Sequence, residues 1–101
     1  MRFHISKEAE EDLNEIFVYW ARRGGLEVAD RIVEAIGERF ALLGDFPNGG
    51  RRCNEIAPGV RSFPAGKYLI YYRKSRRAVE ILHVFHGMRD QGRAFKKTKR
   101  Q

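Results

Sequence analysis

The chain has 101 residues, 43% of them apolar, and a formal net charge of +7. That length supports one small core, the composition argues against wholesale disorder, and no apolar run approaches the roughly 18 residues of a membrane helix. A single cysteine, Cys53, rules out an internal disulfide and is far short of a zinc site. The opening "MRFHISKEAEEDL" lacks the apolar stretch of a secretory signal, so a reducing cytoplasm is the expected compartment.

Arg2 to Ser6 alternates, with Phe3 and Ile5 on one side, and reads as a short strand. Ser6 is a good N-cap, and Glu8, Glu10, Glu11 and Asp12 load the following turns with charge that favours a helix N-terminus. Ala9, Leu13, Ile16, Phe17, Trp20 and Ala21 then recur at helical spacing until Arg22-Arg23 and Gly24-Gly25 close the helix. A second helix follows at once on Val28, Ala29, Ile32, Val33, Ile36, Phe40 and Leu43, and Asp45-Phe46-Pro47 ends it. Gly37 inside it costs about 1 kcal/mol relative to alanine, which a close approach to the first helix would offset. So short a link makes the two helices an antiparallel hairpin.

After a loop through "PNGGRRCNEIAPG" the chain turns to strand chemistry at Val60–Phe63, Lys67–Arg73 and Ala78–Phe85. Pro64 and Gly66 punctuate the first junction, and Lys74-Ser75-Arg76-Arg77 forms the second. The fold class expected is therefore α+β, ordered β-α-α-β-β-β, with an antiparallel sheet and the helical hairpin packed on one face. One domain spans 1–95, and residues 96–101 form a basic tail.

A four-residue loop between the last two strands pairs Arg73 with Ala78, Ile70 with Ile81 and Tyr68 with His83. One face then carries Tyr68, Ile70, Tyr72, Val79, Ile81 and His83, and the other carries Leu69, Tyr71, Glu80, Leu82 and Val84. Both are largely apolar, and a helical hairpin covers only one. The expectation is an open apolar patch for a partner, with Tyr68 and Tyr72 as rigid anchors beside Ile70 and Ile81.

The charge is unevenly laid out: residues 1–50 hold 6 Lys/Arg against 10 Asp/Glu, and residues 51–101 hold 14 against 3. A basic half of this kind suits an acidic partner, either nucleic acid or an acidic protein segment. His83 and His86 alternate across a strand and point to opposite faces, and His4 and Cys53 show no ligand spacing, so neither a metal nor a cofactor is expected. No serine stands in a nucleophile-elbow setting. His86 and Gly87 are expected to shape the turn after the last strand. There Arg89 would face a target, and Asp90 would pair with it to fix the turn.

Read together, "AEEDLNEIFVYW", "ADRIVEAIGERFALLGDFPNGGRR", "PGVRSFPAGKYLIYYR" and "VEILHVFHGMRD" resemble, in order, the helices and core strands of the RelE/ParE toxins of type II toxin–antitoxin systems. The closing His-Gly-x-Arg-Asp is similar to that of the ParE branch. The resemblance covers about Phe3 to Asp90 and implies a toxin that inhibits DNA gyrase by binding and is neutralised by an acidic, ParD-like antitoxin that folds upon it. RelE-like members are instead ribosome-dependent mRNA endoribonucleases, and a non-toxic antitoxin-binding module is a third reading. Nuclease chemistry needs a base, phosphate-binding cations and an acid. Against the RelE pattern this chain matches Arg61 and Arg89 but has Tyr68 where an arginine stands and Phe95 where a tyrosine stands. ParE-type strands often carry Arg at the position of His83. The residues expected to touch the target are Arg61, His83, Arg89, Arg93, Lys96 and Lys97. Those expected to hold the antitoxin are Tyr68, Ile70, Tyr72 and Ile81.

Overall fold

The computed structural model describes residues 2–87. Its elements are β1 (Arg2–Ile5), α1 (Lys7–Gly24), α2 (Leu26–Asp45), β2 (Arg51–Arg52), β3 (Val60–Ala65), β4 (Tyr68–Lys74) and β5 (Ala78–His86). The expectations for Arg89, Asp90, Arg93, Lys96, Lys97 and the tail lie outside the described residues.

Ser6 joins strand to helix with three hydrogen bonds. Its hydroxyl accepts the Ala9 N–H at 3.0 Å and donates to the Leu82 carbonyl at 3.0 Å, while its own N–H donates to Ile81 O. The capping expected from sequence therefore also pins the start of α1 to β5. Gly25, at φ 91°, ends α1 and begins α2, a left-handed conformation that favours glycine. Gly37 behaves differently from expectation. A Cβ built there would meet nothing within 4 Å, so α1 does not approach it and its cost as a helix-interior glycine stands uncompensated.

The α+β plan and the element order are those expected from sequence, with two differences in the sheet. It is mixed, because β1 lies parallel to β5, and the strand order is β1-β5-β4-β3-β2. The fifth strand is Arg51–Arg52, within the expected loop, which pairs antiparallel with Ser62 and Arg61. Pro64 falls inside β3, past the two residues that β2 reaches, where a missing N–H is tolerated.

The β4–β5 register also corrects the expected one. Arg73 faces Glu80 rather than Ala78, Ile70 faces Val84 rather than Ile81, and Tyr68 faces His86 rather than His83. Tyr71 faces His83 while its neighbour Tyr72 faces Ile81, so Leu82 is the extra residue of a β-bulge. Each residue beyond a bulge changes face relative to simple alternation. Val84 thereby joins the core beneath the helices, and Phe85 goes to the reverse side.

The helices cover the face that bears Tyr68, Ile70, Tyr72, Val79 and Ile81, with Ile16, Ile36, Phe40 and Leu43 packed against it. The reverse face is not open. The turn after β2 folds back over it, bringing Cys53, Ile56 and Ala57 against Val60, Tyr71 and Phe85, and the Cys53 N–H donates to Val60 O at 2.8 Å. A second small core thus replaces the expected apolar patch.

Candidate functional site

The site grows from an unequal pairing of strands. β1 reaches along β5 only as far as Ile81. Beyond that, among the described residues, side chains of α1 meet this edge of β5. The Asp12 carboxylate accepts the Val84 N–H at 3.0 Å and lies 2.9 Å from Nδ1 of His83. One acidic residue in the second turn of α1 therefore closes a strand edge and holds a buried imidazole.

Past Asp12 the helix and strand separate, and a cleft of about 430 Å3 opens between them. Its buried lining is Ile16, Tyr68, Val84 and Phe85, and its exposed rim carries Glu15, Tyr19, Lys67 and His86. Trp20 Nε1 donates to the Tyr68 hydroxyl at 2.8 Å, so the indole ties helix to sheet at the cleft wall. On the other side of this bond lies a second hollow of about 310 Å3, bounded by Ile32, Ile36, Ala65 and Gly66 with Glu38 and Arg39 at its mouth. Tyr19 is 47% exposed, packs edge-on against Trp20 and carries the Arg23 guanidinium 4.3 Å above its ring. The Gly87 N–H donates to Lys67 O at 2.9 Å, which fixes the exit of β5 beside the cleft. An aromatic and aliphatic hollow with a few charges at its rim has the chemistry to accept an apolar side chain.

Two buried phenols support the sheet. Tyr72 donates to Pro47 O at 2.9 Å and accepts the Gly50 N–H at 2.8 Å. Burial raises its pKa, with the Gly50 N–H and Arg61 opposing. Tyr71, on the reverse face, is pushed up to about 12 by burial first, helped by Cys53 and Glu55 and opposed by Arg51.

The residues expected to form the sites are distributed differently. Tyr68, Ile70, Tyr72 and Ile81 are 9%, 0%, 0% and 0% exposed, under the helices, so they form no open patch. His83, expected on a target-facing surface, is 5% exposed, because the bulge turns it toward Asp12 and its ring stacks on Phe85 at 4.6 Å. Arg61 is half-buried and spends its guanidinium on Gly50 O at 2.8 Å and Asn48 O at 3.3 Å, clamping the turn after α2. Arg89, Arg93, Lys96 and Lys97 follow Gly87, outside the described residues. Sequence reasoning missed Asp12, Tyr19 and Trp20 as site residues. Tyr19 carried a signal, since a large aromatic off the apolar stripe of an otherwise charged helix face needs a reason to be exposed. Among the described residues, no three His, Cys, Asp or Glu side chains converge as a metal ion would require. Nor is any helix there long and apolar enough to cross a membrane.

A helical hairpin over a small mixed sheet defines the α+β architecture of this protein, with an aromatic cleft where the last strand ends. Solved structures include the same fold: a chain from the chromosomal ParDE toxin–antitoxin system of P. aeruginosa superposes with a TM-score of 0.76 at 23% identity, over 85% of this chain and 95% of that one. The profile of the family described as ParE toxin of type II toxin-antitoxin system, parDE, matches residues 3–91. The toxin ParE1 of Caulobacter vibrioides is 27% identical over 84 residues, which is 83% of this chain and 86% of that protein. The toxin ParE1 of Mycobacterium tuberculosis is 28% identical over 90 residues, 88% of this chain and 92% of its own length. The chain belongs to the ParE toxin family of type II toxin–antitoxin systems.

Proposed function

We propose that this protein is a toxin that inhibits DNA gyrase by binding in the cytoplasm and is neutralised by a cognate ParD-like antitoxin. The observation that carries the reading is the aromatic cleft at the point where the basic C-terminal segment leaves β5. The cleft gives a partner a place to anchor, and the following cations give an acidic surface something to meet. In this reading the target contact falls to the cations after the last strand, Arg89, Arg93, Lys96 and Lys97, and bond cleavage plays no part.

The antitoxin anchors at Tyr19 and Trp20 rather than on the buried residues of the sheet. Such partners are extended chains that fold on contact and place alternate apolar side chains in hollows. Two measurements test the proposal. Supercoiling by purified gyrase should fall when the chain is added and recover with antitoxin, with linearised plasmid as the trapped product. Unimpaired supercoiling together with an early stop in translation would instead favour mRNA cleavage. Tyr19→Ser should weaken antitoxin binding about tenfold, the scale of losing one aromatic anchor, while the chain stays folded with only a small fall in melting temperature from the lost contacts to Trp20 and Arg23. Unchanged affinity would move the antitoxin off this cleft.

A further inference from the structure

One end of the sheet, away from the cleft, is a concentrated cationic edge. The β4–β5 connection reads Arg73-Lys74-Ser75-Arg76-Arg77-Ala78. The Ser75 N–H and hydroxyl both donate to Ala78 O, at 2.8 and 2.7 Å, and draw the turn tight with Arg76 and Arg77 at its two central positions. Arg2 is paired directly beside Ala78 on β1, and Lys74, Arg76, Arg77 and Arg2 are all exposed. Glu80, the carboxylate of β5, is taken by Arg73 at 3.4 Å. Among the described residues no ion pair engages Arg2, Lys74, Arg76 or Arg77.

We propose that this edge is a binding surface for duplex nucleic acid, with Arg2, Lys74, Arg76 and Arg77 contacting successive backbone phosphates. Two considerations select a duplex over an acidic protein. Protein hot spots need an aromatic or aliphatic anchor; the hairpin tip offers nothing larger than Ala78, and Phe3, beside Arg2 and 39% exposed, is packed against Phe40. Phosphate contact needs only presented cations. Strands lie about 4.8 Å apart, so the ends of β1, β5 and β4 spread these charges over roughly 10 Å, about three base steps of duplex at 3.4 Å each. The turn is held by its own backbone, so little ordering remains to be done on contact. A toxin built this way would grip the DNA that its protein target holds, but the surface does not depend on which target that is.

The test uses the full-length chain and a fluorescent duplex about two helical turns long, titrated at several salt concentrations without any other protein. Binding should weaken steeply with salt. The variant Lys74→Gln/Arg76→Gln/Arg77→Gln should reduce the slope of log affinity against log salt by about three and lower affinity at least tenfold at moderate salt. Its melting temperature should stay unchanged, since all three side chains are exposed. A second full-length variant, Lys96→Gln/Lys97→Gln/Lys99→Gln/Arg100→Gln, separates any tail contribution and should keep the tip-dependent slope. No duplex binding, or an unaltered slope in the tip variant, overturns the proposal. So does competition by polyglutamate as effective as that by duplex at equal charge. Because no gyrase is present, this result stands apart from the supercoiling assay.

Discussion

At the scale of single residues, Asp12 and Tyr72 show how a few polar side chains lock this small fold. Asp12 is the acceptor for both Val84 N–H and the His83 imidazole, and both groups are buried. Replacing it with alanine takes the acceptor from the buried Val84 N–H and removes the contact with His83, and the expected cost is about 1–3 kcal/mol. Asp12→Asn keeps an acceptor for Val84 and should cost clearly less. Chemical denaturation midpoints of the two variants check this, and equal losses would show that the edge bond is not what stabilises. Tyr72→Phe removes the partner of Gly50 N–H and of Pro47 O in one step, for about 1–3 kcal/mol. Gly50 is similarly constrained, since a Cβ there would stand 2.6 Å from the Tyr72 oxygen and 2.7 Å from Ser62 O. Neither role is visible in sequence, where Asp12 is one of several acids that suit a helix N-terminus.

At the scale of elements, the helices were legible because their signals are local. Ser6, the acidic first turns, the apolar stripes and Gly25 each act within a few residues of where they stand. Gly37 is the exception to local harmony in α2. With nothing within 4 Å of its missing Cβ, Gly37→Ala should stabilise the protein by about 0.5–1 kcal/mol. A rise in melting temperature of a few degrees checks it, and a fall would show that the open space beside Gly37 is used by something else. The strands were legible as elements but not in their pairing. The bulge at Leu82 responds to an arrangement of α1 that periodicity does not record, with Ser6 and Asp12 holding Leu82 O and Val84 N. Its consequence is large, because it places Val84 in the core and His83 against Asp12.

At the scale of the molecule, two cores share one sheet, and each contains a buried phenol with a raised pKa. Well below pH 10 Tyr71 and Tyr72 are neutral in both folded and unfolded chains, so this contribution to stability is fully present. From the ordinary value of 10.0 up to about 12, Tyr71 ionises in the unfolded chain while the folded chain keeps it protonated. The unfolded state then holds fewer protons, and stability falls as pH rises through that window. The loss from Tyr71 is on the order of 2–3 kcal/mol, and Tyr72 adds in the same direction. A pH series of denaturation midpoints, read beside phenolate absorbance, should show unfolding and late tyrosine ionisation together. Stability that is flat from pH 10 to 12 would contradict the burial argument.

The division between sequence and tertiary structure follows the range of the forces involved. Local propensities, caps and hydrophobic period established the helical hairpin, the strands of the basic half and the α+β order, because each is written within a short window of chain. Which surface stayed open was a long-range matter. Ile56, Ala57 and Cys53 come from a segment that reads as a polar loop, yet they seal the face that periodicity left bare. Tyr68 looked like an exposed anchor and lies under the helices, whereas Tyr19 looked incidental and stands at the rim of the cleft. Alternation along a strand tells which residues share a face, but only packing decides which face is covered, and a single inserted residue at a bulge exchanges the two.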